Sequence, residues 1–359
     1  MTFLVGELAA ISLFSGAGGL DAGVESAGFS VRAALEYDRD SAYSLRANFP
    51  HAAVVEQDIG DVSTRDILAA AGLGRGDATL LVGGPPCTPF SKSGNWLEYK
   101  RSGHDPNARL LDHYLRMLVE VRPRAFLMEN VFGLAYRNHN QGWFAHFRQT
   151  CERHGYNVAY QVLLAADYGV PQKRQRLFVV GALDRTPVLP LPTHSGPHET
   201  RRAFDSRLPP HVSTSEVIGE LEDRDEMAEP GELVAGKYGH LLPAIPPGDN
   251  YLYYTSKRGH PDPQFEWRKR FWSFLLKLDP AQPSPTIQAQ PGPYVGPFHW
   301  NNRRLRLLEI KRLQTFADDH VIYGSRRSAQ KQVGNAVPPL LAEQVAAAVR
   351  DSLRIPLAA

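Results

Sequence analysis

Short apolar runs alternate with longer amphipathic stretches through the first part of the chain. The runs lie at residues 8–14, 31–35, 53–55, 79–82 and 125–128. Each has the length and hydrophobic pattern of a strand, whereas the stretches that begin near Leu20 and that cover Leu110–Val121 have the apolar spacing of helices. Strands that alternate with helices predict an α/β domain in which helices cover both faces of a parallel sheet.

The pattern changes after residue 157. Two apolar runs, 158–164 and 177–181, predict a pair of strands. Prolines then become frequent and long amphipathic stretches disappear from about residue 185 to 300, which indicates a smaller, loop-rich second domain. A helical pattern returns at Leu341–Leu353. We therefore divide the chain into a first domain at 1–184, a second at 185–302 and a hinge and C-terminal segment at 303–359 that returns to the first domain.

Composition narrows the class of protein. The 359 residues are enough for two domains, and 43% hydrophobic with 22% charged residues exclude a disordered or fibrous protein. No apolar run could span a bilayer and residues 1–10 lack a signal-peptide pattern, so we expect a cytoplasmic protein without a membrane partner. Two cysteines, Cys87 and Cys151, and no zinc-like Cys/His spacing predict neither a disulfide framework nor a metal.

Charge leaves two interpretations open. The formal net charge is only +2, so the chain as a whole does not indicate a polyanion partner. Basic residues nevertheless cluster in the last third, at 257–258, 268–270, 303–306, 311–312 and 326–327. Such clusters are typical of solvated faces and also of local nucleic-acid footprints.

A glycine-rich loop, Phe14-Ser15-Gly16-Ala17-Gly18-Gly19, follows the first apolar run. Glu36 ends the next run, twenty positions after Gly16. In a Rossmann-like unit such a loop lets backbone approach a nucleotide cofactor, and the acidic residue binds ribose hydroxyls. A dinucleotide oxidoreductase or a tight structural turn would show the same signal, so the loop predicts only a nucleotide-like cofactor.

Cys87 lies in a proline-rich segment, residues 83–91, directly after the run at 79–82. This position puts a thiol at the carboxyl edge of the predicted sheet, where ligands bind in open α/β folds. Prolines on either side fix its direction, as covalent catalysis requires of a nucleophile. The alternative is a buried cysteine in a turn, which is how we interpret Cys151 within a helical stretch.

Two further segments carry groups suited to acid–base chemistry. Glu129 ends the run at 125–128, where burial would raise its pKa and make it a proton donor. If the segment before residue 177 is a strand, Gln172, Arg174 and Arg176 share one face. The alternative for each is an ordinary solvated charge or ion pair.

Together, and in this order, these segments resemble the motif set of the cytosine-C5 DNA methyltransferase family. The resemblance covers both ends of the chain and includes the loop at 14–19, Pro-Pro-Cys87, Glu129-Asn130-Val131 and Gln172–Arg176. Near the C-terminus, residues 304–316 and 332–339 are similar to the last two motifs. The resemblance implies a DNA (cytosine-5-)-methyltransferase with an S-adenosylmethionine-dependent fold, a loop-rich target recognition domain at 185–302 and double-stranded DNA as substrate.

The resemblance also implies a mechanism. The Cys87 thiolate adds to C6 of cytosine, Glu129 protonates or hydrogen-bonds N3, and Arg176 holds the O2 side of the ring. Arg174 is grouped with these catalytic residues. C5 then takes the methyl group, and the target base must be flipped out of the duplex to be reached.

Cofactor contacts follow from matching positions. Phe14 would pack on the adenine and Glu36 would bind the ribose. Tyr37 would occupy the place of a family aromatic residue, and Asp58 matches the acidic residue that reads the adenine amino group. The remaining candidates are Ser15, Gly16, Gly18, Gly19, Leu20, Ile59, Pro86, Leu110, Asn335 and Ala336.

DNA contacts are expected mainly in the recognition segment, residues 185–302, where aromatic residues interleave with basic ones. The aromatic residues are Tyr251, Tyr253, Tyr254, Phe265, Trp267, Phe271 and Trp272. The DNA-binding candidates are Ser91, Gln172, Lys257, Arg258, Arg268, Lys269 and Arg304. The alternative is that these aromatic side chains form the core of a small domain.

Four positions depart from the family pattern. Ser12 stands where aspartate is usual, which leaves open how the methionine end of the cofactor is held. Thr88 replaces a common glutamine, and Arg306 and Leu308 replace the more usual threonine and arginine.

Three other functions would share parts of this pattern. A transfer-RNA methyltransferase shares the motif set, but the recognition segment at 185–302 is long for that branch of the family. A silent DNA- and cofactor-binding protein would not need Cys87, Glu129 and Arg176 together, and a nicotinamide oxidoreductase leaves most motifs unexplained. The resemblance further implies a bacterial context, with a separate cognate restriction endonuclease and a monomer acting on DNA.

Overall fold

The computed structural model describes residues 7–86, 108–136, 141–196, 208–221 and 228–354. A seven-stranded sheet forms its centre. The strands are β1 (Ala9–Leu13), β2 (Ser30–Glu36), β3 (Ala53–Glu56), β4 (Leu80–Gly83), β5 (Ala125–Asn130), β6 (Asn157–Leu164) and β8 (Gln175–Ala182). Their order across the sheet is β3-β2-β1-β4-β5-β8-β6. A second, two-stranded sheet pairs β7 (Gln172–Lys173) with β9 (Ser284–Pro285) in parallel.

The direction of the strands follows the predicted α/β pattern. Strands β1 to β5 are parallel to their neighbours, so the predicted parallel sheet is confirmed for all five runs. The predicted pair at 158–164 and 177–181 is confirmed as the antiparallel ladder of β6 and β8. Because β8 also runs antiparallel to β5, it brings the segment before residue 175 to the same sheet edge as the end of β5.

Ten α-helices accompany the strands in the described ranges. They are α1 (Gly19–Ser26), α2 (Arg39–Asn48), α3 (Thr64–Ala71), α4 (Ala108–Val121), α5 (Gly133–Tyr136), α6 (Gln141–Arg153), α7 (Thr214–Ile218), α8 (Leu307–Leu313), α9 (Arg326–Asn335) and α10 (Pro339–Ser352). Among them, none is long and apolar enough to cross a bilayer.

The core lies on both faces of the large sheet because strand side chains alternate between faces. Ala10 of β1 belongs to a cluster with α1 and α10, whereas Ile11 belongs to a cluster with α3, α4 and α6. Helix α10 contributes Leu341, Val345 and Val349, which recur at helical spacing and are fully buried. Each such side chain contributes about 1.5–3 kcal/mol by burial, so α10 is fastened to the first part of the chain.

The segment between β8 and α8 is irregular, as the loss of amphipathic stretches predicts. Its described residues contain the five-residue α7, the two-residue β9 and several short 3₁₀ turns, among them Gly239–Ala244 and Tyr251–Tyr254. A separate apolar cluster that includes Leu242, Tyr251 and Phe298 holds this segment together.

Candidate active site

The strand order reverses between β1 and β4, since the chain runs from β1 outward to β3 and then crosses back to β4. Ligands of open α/β sheets bind at the carboxyl edge beside such a switch point. The loop at 14–19 leaves β1 at this edge, and Gly84-Pro85-Pro86 leaves β4 next to it. The fold therefore brings the predicted cofactor loop and the chain leading to Cys87 to one crevice.

Glu36 fastens the cofactor loop. Its Oε2 accepts a hydrogen bond from the Gly16 amide at 2.7 Å, and its Oε1 accepts from the amides of Tyr37 and Asp38 at 2.9 and 2.7 Å. Burial raises the pKa of Glu36, while the three amides favour its charged form. The carboxylate is thus fixed at the end of β2.

The loop has the shape that a nucleotide cofactor needs. Phe14 and Gly16 have φ angles of +57° and +56°, in the left-handed region. A Cβ atom added at Gly16 would meet no heavy atom within 4 Å, so the space beside this backbone is open to a ligand. The loop therefore has the open backbone and the fixed carboxylate that a nucleotide-like cofactor requires.

Other cofactor candidates differ in exposure. Tyr37 is 73% exposed and Asp58, whose Oδ1 accepts from the Gly60 amide at 2.7 Å, is exposed as well. Leu20 and Ile59 are buried in the two core clusters, so their side chains support the loop rather than line the crevice. Of the other candidates, Ser15, Gly18 and Gly19 are buried, Leu110 and Ala336 are half-buried, and Pro86 and Asn335 are exposed.

Ser12 and Asp21 form a polar group beneath the loop that the motif comparison did not single out as a pair. Both are fully buried, and Ser12 Oγ accepts a hydrogen bond from Ser15 Oγ at 2.8 Å. Neither carboxylate oxygen of Asp21 makes a hydrogen bond within the described residues. Burial raises the pKa of Asp21 to about 7, against the lowering effect of Ser12. In the sequence, a buried polar residue at the start of a helix looks the same as an ordinary helix cap. The sequence pattern therefore does not predict this buried polar group.

The Glu129–Arg176 ion pair lies at the carboxyl edge where β5 meets β8. Arg176 Nε is 2.8 Å from Glu129 Oε1, and both side chains are largely buried. Burial raises the pKa of Glu129, although Arg176 and Arg174 oppose the shift. A buried carboxyl group that is fixed by a guanidinium can hydrogen-bond or protonate a ring nitrogen.

Asn130 connects this pair to the chain that precedes Cys87. Its Nδ2 donates to the Pro85 carbonyl at 3.0 Å, and both groups are buried. The end of β5 therefore fixes the backbone two residues before the predicted nucleophile. Cys87 itself, Thr88 and Ser91 lie outside the described residues.

The segment with Gln172, Arg174 and Arg176 is not one continuous strand, because residues 172–173 pair with β9 while the ladder with β6 begins at Gln175. Burial nevertheless alternates along it, since Gln172, Arg174 and Arg176 are buried or half-buried whereas Lys173 and Gln175 are exposed, as the predicted common face requires. Arg174 is fully buried and donates to the carbonyls of Gly334 and Asn335 at 2.9 and 3.1 Å. It fixes the Asn335 turn, and its grouping with the catalytic residues stays a prediction.

Gln172 is not available to DNA in this structure. Its side chain is fully buried, donates to the Leu313 carbonyl and Gln314 Oε1 at 3.2 and 3.0 Å, and accepts from the Ile287 amide at 3.1 Å. In this structure the Gln172 side chain therefore joins the recognition segment to α8.

The remaining basic candidates differ in their exposure and in their hydrogen-bond or ion-pair partners. Lys257, Arg268 and Lys269 are exposed. Arg258 is exposed but pairs with Asp249 at 2.7 Å, and Arg304 is half-buried and donates to the Pro293 carbonyl at 2.7 Å.

The interpretation of Cys151 as a structural residue agrees with its position in α6, where burial raises the pKa of the thiol to about 12.

This arrangement, an open glycine loop with a fixed carboxylate beside a buried carboxyl–guanidinium pair, is typical of an enzyme that binds a nucleotide-like cofactor. Residues 8–351 match the family model of the C-5 cytosine-specific DNA methylases. The chain belongs to this family and is a DNA (cytosine-5-)-methyltransferase. Enzymes of this family use S-adenosylmethionine, which agrees with the shape of the crevice.

Several known proteins resemble it over nearly their full length. The type II methyltransferase M.SacI of Streptomyces achromogenes is 46% identical over 370 residues, covering 97% of this chain and 94% of that protein. M.XorII of Xanthomonas oryzae is 31% identical over 386 residues, covering 96% and 85%. Among solved structures, a DNA modification methyltransferase from an E. coli prophage aligns with a TM-score of 0.69 and 22% identity over 97% of this chain and all of that one. The S. pombe Dnmt2 methyltransferase aligns at 0.60 and 16% over 97% and 99%. At these identities the two structures show a shared fold.

Proposed function

We propose that this enzyme methylates C5 of a cytosine flipped out of double-stranded DNA, through a covalent bond between Cys87 and C6. The observation that carries the proposal is the buried Glu129–Arg176 pair, which Asn130 links to the backbone just before Cys87. These contacts would hold the three groups that a cytosine ring needs at C6, N3 and O2.

The residues divide the reaction as follows. The Cys87 thiolate forms the S–C6 bond, and the electrons of the C5–C6 double bond move toward C5 while Glu129 hydrogen-bonds or protonates N3. S-adenosylmethionine supplies the methyl group that C5 takes up. Loss of the C5 proton to a base and cleavage of the S–C6 bond then restore the aromatic ring and the free thiolate.

Glu129 suits the N3 position because its proton affinity is raised by burial, whereas Arg176 keeps it oriented. Arg176 would in turn face the O2 side of the ring. Phe14, Glu36 and Asp58 would hold the adenosine part of the cofactor, with Gly16 leaving room for it.

The biological setting is also proposed. M.SacI and M.XorII are named type II methyltransferases, and this chain is similar to both over more than nine-tenths of its length. We infer that the enzyme protects host DNA from a separate cognate restriction endonuclease. We expect it to act on its site as a monomer.

The test is methyl transfer from labelled S-adenosylmethionine to unmethylated genomic DNA and to transfer RNA in parallel, with conversion sequencing to locate modified cytosines. Label at C5 within one short recurring DNA sequence is the expected result. Labelling of transfer RNA alone would replace the substrate. Cys87→Ala should abolish turnover and keep DNA affinity, and unchanged turnover would remove Cys87 from the mechanism.

A further inference from the structure

The aromatic side chains of the recognition segment fall into two groups. Tyr251, Tyr254 and Phe274 are buried in the apolar cluster of that segment. Phe271 and Trp272 are 67% and 60% exposed. Packing in the core of the small domain therefore explains the aromatic residues of the first group. It does not explain the two exposed residues of the second group.

The backbone under the exposed pair is firmly held. The buried Asn250 side chain donates to the Trp272 carbonyl at 2.8 Å, and the Phe274 amide donates to the Phe271 carbonyl at 2.9 Å. Tyr251 Oη donates to the Arg270 carbonyl at 2.9 Å. Two large apolar side chains thus project from a fixed turn, so their exposure is a property of the fold.

Basic residues lie next to the pair in the sequence. Arg268, Lys269 and Arg270 precede it directly, with Glu266 as the one acidic residue from 266 to 272. Lys257, from another turn, lies on the same segment, since its Nζ is 4.8 Å from the centre of the Trp267 ring. We name Lys257, Arg268, Lys269, Arg270, Phe271 and Trp272 the aromatic–basic patch.

The patch is connected to the catalytic half of the molecule. Ser273 follows it directly, and Gln288 Nε2 donates to Ser273 Oγ at 3.3 Å. The Gln288 carbonyl in turn accepts from Gln330 of α9 at 3.3 Å. A Cβ added at Gly334 would lie 2.6 Å from Ala289 Cα, so α9 and this segment are in tight contact just before the Asn335 turn.

We propose that Phe271 and Trp272 contact the bases of the bound duplex, while Lys257, Arg268 and Lys269 contact its phosphates. The proposal rests on the proposed function, since it assumes double-stranded DNA as substrate. Cations beside exposed aromatic faces match DNA, because phosphates neutralise the cations and aromatic side chains pack on base faces or thymine methyl groups. The two aromatic residues are then specificity determinants.

The test compares Phe271→Ala and Trp272→Ala with Lys269→Gln and with Leu191→Ala, an 83% exposed apolar control outside the patch. DNA affinity is measured at several salt concentrations, with S-adenosylhomocysteine present, for a duplex that carries the site methylated by the wild type and for an unrelated duplex. The aromatic variants should lower the ratio of the two affinities about tenfold without changing the salt slope. Lys269→Gln should weaken both duplexes equally and reduce the slope by about one.

The remaining outcomes separate failure of the inference from failure of the proposed function. Wild-type methylation of DNA with an unchanged affinity ratio in Phe271→Ala and Trp272→Ala would overturn the inference alone. A changed sedimentation coefficient with unchanged DNA affinity would assign the patch to a protein partner and also overturn it. Absence of DNA methylation by the wild type would instead defeat the proposed function. Trp272→Phe, which keeps an aromatic face, should retain most of the discrimination and guards against an effect of misfolding.

Discussion

At the scale of single residues, Glu129 and Asp21 show how burial changes a carboxyl group in two ways. The Arg176 guanidinium lies beside Glu129 and orients its carboxyl group. Glu129, whose pKa is raised, can therefore offer its proton to a bound ligand. Asp21 has no hydrogen-bond partner for its oxygens in the described residues, so its raised pKa acts on stability. The raised pKa of Glu129 was expected from its place at the end of a buried strand. Its pairing with Arg176 and the environment of Asp21 could not be predicted, because both depend on which side chains surround the carboxyl group.

Glu129→Gln keeps the size of the side chain and removes its proton. We expect kcat to fall by about 10²–10⁴, the usual contribution of a positioned acid or base, while affinity for S-adenosylhomocysteine stays the same. Single-turnover methylation and equilibrium binding measure the two quantities. The control is Glu152→Gln, at an exposed ion pair with Arg148. A kcat within twofold of the wild type would remove Glu129 from proton chemistry.

The raised pKa of Asp21 predicts that the free energy of unfolding depends on pH. Its folded pKa of about 7 lies above the ordinary value of 3.8, so the folded protein keeps a proton that the unfolded chain releases. The contribution of Asp21 to the free energy of unfolding therefore falls as pH rises from about 4 to about 7. Asp21→Asn should remove this component and should be more stable than the wild type at pH 8 by a few kcal/mol, on the order that the shift implies. Urea denaturation of both proteins at pH 5 and pH 8 tests this, and parallel pH profiles would contradict it.

At the scale of elements, the turn before α8 is built on a buried charge network. Glu309 is fully buried and accepts two hydrogen bonds from Arg303, at 2.9 and 2.6 Å, and one from the Arg306 amide at 2.8 Å. Arg306, one of the departures from the family pattern, reaches Glu232 of the recognition segment at 2.7 Å. Its guanidinium thus joins the recognition segment to α8, whereas no contact in the structure explains Leu308.

Glu309→Gln should therefore destabilise the protein strongly. It removes the nearer of the two carboxylates that pair with the buried Arg303 guanidinium and leaves only Glu232, at 3.9 Å. Breaking a buried ion pair typically costs about 3–5 kcal/mol. Glu7→Gln, at the exposed pair with Arg32, is the control and should change stability by less than about 1 kcal/mol. Thermal unfolding of the two variants makes the comparison, and equal midpoints would show that the network is not needed for stability.

Elements with a local hydrophobic period could be predicted from the sequence. Strands β1 to β5 and helices α1, α4 and α10 lie within one or two residues of the expected positions, because burial on a sheet or helix face imposes the period directly. The segment at 172–176 could be predicted only in part. Its alternation of buried and exposed side chains is that of one strand, but residues 172–173 pair with β9, far along the chain, whereas Gln175 pairs with β6.

At the scale of the whole molecule, the site is assembled from distant parts of the chain. The cofactor loop, Glu129 and Arg176 could be named from ordered motifs, since each directly follows or begins a strand at one sheet edge. The exposure of Phe271 and Trp272 could not be predicted, because the same spacing of aromatic residues also occurs in a buried core. The pairing of Arg306 with Glu232 likewise depends on how the segments fold together.

Cofactor binding should stabilise the whole molecule. A ligand that binds only the folded state adds about 2.7 kcal/mol at a concentration one hundred times its Kd. S-adenosylhomocysteine should therefore raise the Tm in a concentration-dependent way, and NAD should leave it unchanged. Differential scanning fluorimetry with both ligands makes the comparison. A shift with NAD alone would favour the oxidoreductase interpretation.

The packing of α10 against α1 has a consequence for how the enzyme is made. Arg350 Nη1 donates to the Ala27 carbonyl at 2.6 Å, across 323 positions of sequence. Val24 of α1 lies in the same apolar cluster as Val345 and Val349. During translation, α10 can cover this face of the sheet only after residue 352 has left the ribosome. A chain that stops before α10 therefore leaves Val24 and its apolar neighbours exposed to water.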